Sequence, residues 1–369
     1  MDFHANAIAS LADRVRSAAA VATPLRIRGG GSKDFYGQAL TGEVLETTTL
    51  AGVTSYEPSE LVVTAGAGTP LAELEALLAG HGQCLPFEPP HFAGKATVGG
   101  MVASGLSGPA RASAGAVRDY VLGLQLVNGK GEHLTFGGQV MKNVAGYDVS
   151  RLMAGAMGTL GLITEVSLKV LPVAPAEVTL RFECSQAEAL QRLNAWGGQP
   201  LPLNASCWLE ENGTGTLYLR LRGAIAAVEA ACKTLAAYGG ERKENVASDW
   251  DACRDQRLPW FVDRSDTQDL WRLSVPQTAP VLNLPESPLI EWHGALRWVR
   301  ASAEHAQSLR DAAAAAGGHA TLFRSAAHGG SKLARLDALK PPLDRIHHRL
   351  MHEFDPAGIF NPGRMYCGL

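Results

Sequence analysis

The stretch PPHFAGKATVGGMVASGLSGPARASAGAVRD, residues 89–119, decides the fold of this chain. It contains six glycines and three lysine or arginine residues, and it has no carboxylate before Asp119. Glycine lets successive backbone N–H groups converge on one point and lets a ligand approach the main chain closely. The stretch therefore predicts a binding site for phosphate or pyrophosphate.

Two further glycine-rich segments lie in the first half of the chain. RGGGSK at 28–33 follows a predicted strand at 25–28, and GAMGTLG at 155–161 precedes a predicted strand at 162–171. The first is not a P-loop, because the GxxxxGK[ST] spacing is missing. A dinucleotide fingerprint beginning at Gly66-x-Gly68 is incomplete, because Leu71 stands where its third glycine should be.

Length and composition favour a protein of two domains that does not bind nucleic acid. A chain of 369 residues is longer than a single hydrophobic core usually accommodates. Its net charge of −3 argues against binding to nucleic acid, because nucleic-acid-binding proteins usually carry an excess of basic residues. Pro172 and Pro175 mark a boundary. We expect domains at 1–172 and 173–335, followed by a helix and tail at 336–369.

The cysteines and the N-terminus are typical of a cytoplasmic protein. The six cysteines are scattered singly without a CxxC pair or the spacing of a metal site. The first 20 residues lack the apolar run of a signal peptide, and no run of 18 apolar residues occurs in the chain.

The periodicity after residue 176 predicts an antiparallel sheet with helices. Strands are expected at 177–183, 204–210, 215–222, 294–300 and 319–324, with helices at 186–196, 224–238 and 302–316. Ser185 and Glu188 have capping-box spacing, and Asn212-Gly213 predicts a turn. The apolar residues of 245–290 follow neither a helical nor a strand period.

In the first half of the chain, Thr69 is the expected N-cap of a helix, and Asn128-Gly129 is an expected two-residue hairpin turn.

The glycine motifs, taken in order, resemble the PCMH-type FAD-binding flavoproteins of the vanillyl-alcohol oxidase family. The matching segments are RGGGS at 28–32, ATVGGMVASGLSGP at 96–109, RDYVLGLQLVNGKGE at 118–132, and KNVAGYDVSRLMAGAMGTLGLITEVSLKVLP at 142–172. The tail FDPAGIFNPGRM at 354–365 resembles the ending of the branch that oxidises D-lactate and glycolate. The resemblance implies an α+β fold, with a two-subdomain FAD-binding domain, a cap domain whose antiparallel sheet is covered by helices, and a tail that returns to the first domain.

The resemblance also implies which residues hold FAD. Gly29–Lys33 and residues 97–105 would bind the pyrophosphate, with the Thr97 and Ser104 hydroxyls as extra donors, and Asn361 would bring its carboxamide to the flavin ring. Gly161 and Ile163 would lie against the adenosine. The full expected set is Arg28, Gly29, Gly30, Gly31, Ser32, Lys33, Thr97, Val98, Gly99, Gly100, Ser104, Gly105, Gly108, Gly161, Ile163 and Asn361. Covalent members carry a histidine in the first loop, where this chain has Ser32, so we expect non-covalent FAD.

The sequence says less about the residues that would bind a substrate. Catalytic members carry HxGDGNxH, whose histidines hold a divalent cation, and this chain lacks that motif, so no metal site is expected. The nearest histidines, His328, His347 and His348, have neither its carboxylate nor its spacing. His91, just before the phosphate loop, is a candidate base or orienter near the flavin, and Arg297 and Arg324 are candidates to reach a carboxylate substrate. The alternative for each is a packed or exposed polar residue.

The resemblance implies a role in 2-hydroxy acid oxidation. It extends to a subunit of multi-subunit bacterial glycolate oxidases, so we expect glycolate to be oxidised to glyoxylate and electrons to pass through the flavin to a partner. The expected partners are a paralogous FAD-containing catalytic subunit and an iron–sulfur subunit, with attachment to the inner membrane only through them. The alternatives are a non-catalytic FAD relay or assembly subunit and a stand-alone FAD-dependent 2-hydroxy acid dehydrogenase.

Overall fold

The structure, a computed structural model, describes residues 4–138, 148–211, 213–327 and 333–366. The chain divides into two units. The first contains residues 1–106, 116–172 and 338–369, and the second contains residues 107–115 and 173–337. The segment 107–115 thus belongs to the second unit, although the sequence analysis assigned it to the first domain.

Strands and helices alternate along the described chain, which confirms the α+β class. The strands are β1 Leu25–Arg28, β2 Glu43–Glu46, β3 Val53–Glu57, β4 Val62–Gly66, β5 Gln83–Cys84, β6 Val121–Val127, β7 His133–Gly137, β8 Leu162–Lys169, β9 Leu171–Pro172, β10 Ala176–Glu183, β11 Leu203–Glu211, β12 Thr214–Gly223, β13 Glu241–Lys243, β14 Asp269–Ser274, β15 Leu289–Glu291, β16 Leu296–Ala301 and β17 His319–Arg324. The helices are α1 Ala5–Ala20, α2 Leu71–Gly80, α3 Val98–Ser104, α4 Arg111–Ala114, α5 Val149–Met153, α6 Gln186–Gly197, α7 Ile225–Ala236, α8 Ala247–Arg254, α9 Pro259–Val262, α10 Ala306–Ala315 and α11 Leu343–Phe354.

The first unit is built on a five-stranded antiparallel sheet in the order β3-β4-β8-β6-β7. Every residue of β4 is buried, and its apolar side chains share a core with α2 and α3. A separate parallel pair, β1 and β2, packs with α1 through Leu11, Val15 and Leu25. Burial of these continuous apolar faces stabilises the unit.

The tail after α11 is part of the first unit. Leu25 N–H donates to Ile359 O at 2.7 Å, and Asn361 N–H donates to Leu25 O at 2.9 Å, while Phe360 is buried in the same core as α1. The Asp355 carboxylate accepts from Phe360 N–H at 2.7 Å. Burial raises the pKa of Asp355, although the backbone N–H groups of the tail oppose that shift. The tail is therefore fixed by backbone pairing as well as by apolar packing.

The second unit is an eight-stranded antiparallel sheet in the order β13-β10-β12-β11-β15-β16-β14-β17. Alternate apolar residues of its strands share cores with α6 and α7 at one part of the sheet and with α10 at the other. The capping box is present, since Ser185 and Glu188 each accept from the other's backbone N–H. The predicted helices and strands of this unit are all present within a few residues of their expected ends, and the predicted turn residue Asn212 lies outside the described residues.

The structure differs from the local sequence analysis at three places. Pro70 rather than Thr69 is the N-cap of α2, since the Thr69 hydroxyl donates to Gly66 O at 2.7 Å. The expected two-residue turn at Asn128-Gly129 is instead a five-residue connection between β6 and β7. Within it, Gly129 N–H donates to Phe354 O and not across the hairpin. Residues 245–290 contain two strands, β14 and β15, whose irregular patterns hid them.

A strained, buried turn follows β15. Trp292, His293 and Gly294 all have left-handed backbone angles, with φ of +53°, +55° and +100°. His293 N–H donates to Ser206 Oγ at 2.9 Å, and the buried guanidinium of Arg297 donates to the carbonyls of Gly294, Pro280 and Ala279. Two consecutive non-glycine residues in this conformation persist only where their surroundings hold them.

Replacing His293 with asparagine should remove part of the acid sensitivity of the fold. Burial lowers the pKa of His293 from 6.5 to about 4, so the unfolded chain takes up this proton first as the pH falls below 6.5. Asparagine tolerates a left-handed φ and has no such proton. Between about pH 7.5 and about pH 4.5, the wild type should lose about 2.5 kcal/mol more unfolding free energy than His293→Asn, measured by urea unfolding. Equal losses in the two proteins would contradict this assignment.

Candidate cofactor site

Two adjoining pockets of the first unit share six lining residues and are formed by the glycine-rich segments and the tail, and we call them together the glycine cleft. Its lining residues are Ile27, Arg28, Gly29, Gly30, Gly31, Ser32, Lys33, Asp34, Tyr36, Leu40, Thr47, Ala67, Thr97, Gly99, Gly100, Ala103, Ser104, Met157, Gly158, Gly161, Ile163, Asn361 and Arg364. Thirteen of the sixteen residues expected to hold a cofactor are among them.

The loop after β1 supplies main-chain donors to the glycine cleft. Among the residues that the structure describes, no group accepts a hydrogen bond from the backbone N–H groups of Gly29, Gly30, Gly31 or Ser32. Unpaired N–H groups are costly when buried and are usually satisfied by a partner. Four such donors in sequence form a concave site that suits phosphate oxygens.

Glycine is required in this loop because another segment passes very close to it. A Cβ atom on Gly29 would lie 2.3 Å from Thr97 Oγ1, and one on Gly30 would lie 1.5 Å from Lys95 O. Gly31 has a φ of +72°, which disfavours a side chain there. The residue types at 29–31 therefore follow from close approach and backbone angle together.

The start of α3 offers less to a ligand than the sequence suggested. Val98 N–H donates to Thr69 O and Gly99 N–H to Ala67 O, so both are already paired within the protein. The Ser104 hydroxyl donates to Met101 O at 3.0 Å, which removes it from the donors expected for a pyrophosphate. The Thr97 hydroxyl accepts from Gly100 N–H at 3.3 Å, so its own hydrogen remains available to a ligand.

Asn361 connects the tail to two walls of the glycine cleft. Its side-chain oxygen accepts from Ile27 N–H at 2.9 Å, and its side-chain nitrogen donates to Met157 O at 2.7 Å. Gly158 must be glycine here, since a Cβ atom would lie 2.6 Å from that nitrogen. The carboxamide therefore ties together the strand before the glycine loop and the segment that contains Met157.

Arg364 supports the glycine loop from its other side, and sequence reasoning missed it. The side chain is 6% exposed, and its guanidinium donates to Lys33 O and Asp34 O at 3.2 Å each and to Gln38 O. The only sequence signal was its position directly after Asn-Pro-Gly. Arg364 binds the carbonyl groups of a loop whose N–H groups line the cleft.

The charges of the glycine cleft favour an anion. Arg28, Lys33 and Arg364 line it together with one carboxylate, Asp34, which accepts from Arg28 Nε at 2.8 Å. Cationic side chains beside main-chain donors are the set that a pyrophosphate needs. The donors and charges present thus fit the diphosphate of a dinucleotide cofactor.

Three expected cofactor residues do not line the cleft. Val98 is fully buried in the core, and Gly105 ends α3 with a φ of +64°. Gly108 belongs to the second unit, where its carbonyl accepts from Trp292 Nε1 at 2.9 Å.

The catalytic candidates are also placed differently from expectation. His91 Nε2 lies 2.8 Å from Glu75 Oε2 and does not line the glycine cleft. Arg297 is fully buried against backbone carbonyls, so it cannot reach a substrate carboxylate. Arg324 Nε donates to Gln256 at 2.9 Å, and burial lowers the pKa of Arg324 to about 10.

The described residues show neither a metal-binding cluster nor a membrane-spanning helix. His328 lies outside the described residues, and those that are described contain no group of three His, Cys, Asp or Glu residues arranged to hold a metal ion. None of the described helices combines the length and apolar character that crossing a bilayer requires.

Comparisons with known proteins agree with this geometry. The FAD binding domain family matches residues 3–137. The glycolate oxidase subunit GlcE of Escherichia coli K12 is 47% identical over 360 residues, covering 98% of this chain and 97% of its own. A D-lactate dehydrogenase of Archaeoglobus fulgidus is 26% identical over 93% of this chain and 86% of its own, and the glycolate oxidase subunit GlcD of Bacillus subtilis is 40% identical over 23% of this chain and 18% of its own.

Solved structures show the same fold at low sequence identity. An alkyldihydroxyacetonephosphate synthase structure has a TM-score of 0.66 and 17% identity, covering 95% of this chain and 75% of its own.

Replacing Asn361 with alanine should destabilise the first unit. Two backbone partners would lose their hydrogen bonds, and alanine would be strained at the φ of +42°, so we expect a loss of about 3 kcal/mol in unfolding free energy. Asn245→Ala is the matched control. Asn245 has a φ of +58°, and its side chain makes no hydrogen bond to described residues, so that variant should lose about 1 kcal/mol. Similar losses in the two variants, measured by urea unfolding, would show that the Asn361 hydrogen bonds contribute little.

Proposed function

Because the chain belongs to the family of the glycolate oxidase subunit GlcE, whose members are FAD-binding oxidoreductases, we propose that it is the FAD-binding subunit of a multi-subunit glycolate oxidase. In this role the complex oxidises glycolate to glyoxylate, and the flavin passes the electrons to a partner. The observation that carries the proposal is the set of four unpaired N–H groups in the glycine cleft, which suits the FAD pyrophosphate.

The residues of the glycine cleft divide the work of holding FAD. The backbone of Gly29–Ser32 and the Thr97 hydroxyl would donate to the pyrophosphate, while Arg28 and Lys33 would balance its charge. Gly161 and Ile163 line the cleft beside Gly158 and would contact the adenosine. FAD, when bound, supplies two-electron oxidation followed by transfer of electrons to an acceptor.

FAD is held without a covalent bond. The loop position that carries a flavin-linked histidine in covalent relatives is Ser32 here, and its hydroxyl has no comparable nucleophilicity. Affinity therefore comes from hydrogen bonds and charge.

The partners follow from the relatives. GlcD of Bacillus subtilis is named as a glycolate oxidase subunit and matches this chain in part, so we infer a paralogous GlcD-like FAD subunit as one partner. An iron–sulfur subunit would accept the electrons. The complex would lie in the cytoplasm or on the inner membrane through these partners.

A second candidate is a relay subunit that oxidises no substrate itself. Two observations favour it, since Arg297 is occupied by backbone carbonyls and the described residues contain no metal-binding group. In that case the GlcD-like partner oxidises the hydroxy acid, and this chain only transfers electrons.

Replacing Gly30 with alanine should abolish FAD binding. The new Cβ atom would overlap Lys95 O, so the loop must move and its N–H groups must lose their alignment. Gly80→Ala is the control, because a Cβ atom there meets nothing within 4 Å. The wild type and Gly80→Ala should each release about one flavin per chain into the supernatant after acid precipitation, and Gly30→Ala should release less than about a tenth of that. If Gly30→Ala retained its full flavin content, the assignment of the glycine cleft as the FAD site would be wrong. If the precipitated wild-type protein remained yellow, FAD would be bound covalently.

Anaerobic mixing of the isolated chain with glycolate separates the two candidate roles. A substrate-oxidising subunit should lose its flavin absorbance at a rate comparable to turnover of the complex, whereas a relay subunit should stay yellow until its partner is added. Bleaching by the isolated chain would exclude the relay role. If the reconstituted complex also failed to reduce its flavin, the proposed function itself would be wrong.

A further inference from the structure

A cavity of about 590 Å³ lies on one face of the eight-stranded sheet, within the second unit. Residues of β11, β12, α8 and α9 line much of it, and it shares no lining residue with the glycine cleft. Glu210, Asp249 and Asp263 line the cavity and are exposed, so it is open to solvent. Cys207 and Cys253 also line it, and each is only 4% exposed. The cavity therefore connects two buried cysteines with solvent.

Strand pairing and a hydrogen bond bring these two cysteines to the same carboxylate. Cys207 on β11 is the direct partner of Glu291 on β15, so their side chains project from the same face of the sheet and are close neighbours. The Sγ of Cys253, on α8, donates to Glu291 Oε1 at 3.2 Å. A hydrogen bond with Cys207, together with burial, raises the pKa of Cys253. Both residues are free thiols in the structure, and they lie beside each other.

We propose that Cys207 and Cys253 form an oxidation-sensitive dithiol, which hydrogen peroxide or another small hydroperoxide converts into a disulfide between β11 and α8. A disulfide requires a second thiol within reach of the first, and the shared contact with Glu291 provides it. Cys184 and Cys232 are also buried thiols, but they pack in the core with α6 and α7 and do not line the cavity. This modification site is independent of the proposed function.

The order in which the thiols react follows from their hydrogen bonds. The Glu291 carboxylate holds Cys253 in its protonated form, because it accepts the hydrogen of that thiol. The thiolate is the nucleophile in such oxidations, so Cys207 reacts first. Its sulfur, after losing a proton to water, bonds to one peroxide oxygen, and the O–O bond breaks. The departing hydroxide takes up that proton and leaves as water, and Cys207 becomes a sulfenic acid.

Glu291 serves as the proton acceptor in the second step. When the sulfur of Cys253 attacks the sulfur of the Cys207 sulfenic acid, its proton passes to Glu291 Oε1. The S–S bond forms, the S–O bond breaks, and the departing hydroxide takes the proton from Glu291 and leaves as a second water. In total the two sulfurs give up two electrons, and hydrogen peroxide takes them up and becomes two waters.

Peroxide treatment of the purified, flavin-loaded chain, with its thiols reduced, tests the proposal. After treatment, denaturation and alkylation, mass spectrometry should find peptides joined through Cys207 and Cys253. Alkylation of these two residues should fall at least about tenfold, and dithiothreitol should restore it. In Cys253→Ser, dimedone should label Cys207 as a sulfenic acid. Cys232→Ser is the matched control, because it removes a buried thiol of the same unit that does not line the cavity, and it should form the same linked peptides as the wild type.

Two results would overturn this site. The first is undiminished alkylation of Cys207 and Cys253 at a peroxide concentration that oxidises the more exposed Cys84. The second is formation of the Cys207–Cys253 link equally well in urea, because the native geometry would then play no part in the pairing. Both measurements use the wild-type chain, so they decide the question even if a serine variant does not fold.

Discussion

The glycine cleft depends on a loop whose N–H groups at Gly29–Ser32 have no acceptor among the described residues, while carbonyl groups that follow them in the chain are bound by Arg364. A loop of glycines left to itself would sample many conformations, and its donors would rarely point in one direction. Arg364 restricts the loop, because its guanidinium donates to the carbonyls of Lys33, Asp34 and Gln38. Asn361 fixes the strand that leads into the loop through Ile27 N–H. Ordering the loop before a ligand arrives reduces the entropy lost on binding.

In the second unit, an arginine likewise binds backbone carbonyls, here at the strained turn after β15. Arg297 is buried, and among the described residues it has no carboxylate partner; three backbone carbonyls accept hydrogen bonds from its guanidinium instead. Burial lowers the pKa of Arg297 to about 10. In both units, therefore, a buried arginine donates to backbone carbonyls of an irregular segment.

Structure that depends on residues close together in the sequence could be predicted, whereas contacts between distant residues could not. The Ser185–Glu188 capping box and the alternating strands β10–β12 follow from neighbours a few residues apart, and all were predicted. The glycine loop was also predicted, because its composition is itself the signal. Arg364 and the true partners of Asn361 could not be, since their contacts span more than 200 residues. Gly108 was misassigned because an indole nitrogen from a distant turn, rather than a ligand, uses its carbonyl.

The bond between Ile27 and Asn361 closes a loop of 334 residues, and this sets an order of events during synthesis. The ribosome makes the glycine loop more than 300 residues before the side chains that brace it. An emerging chain can thus fold its sheets before it can present an ordered cleft. A chain whose synthesis stops before residue 361 would carry the signature glycines and no working cleft.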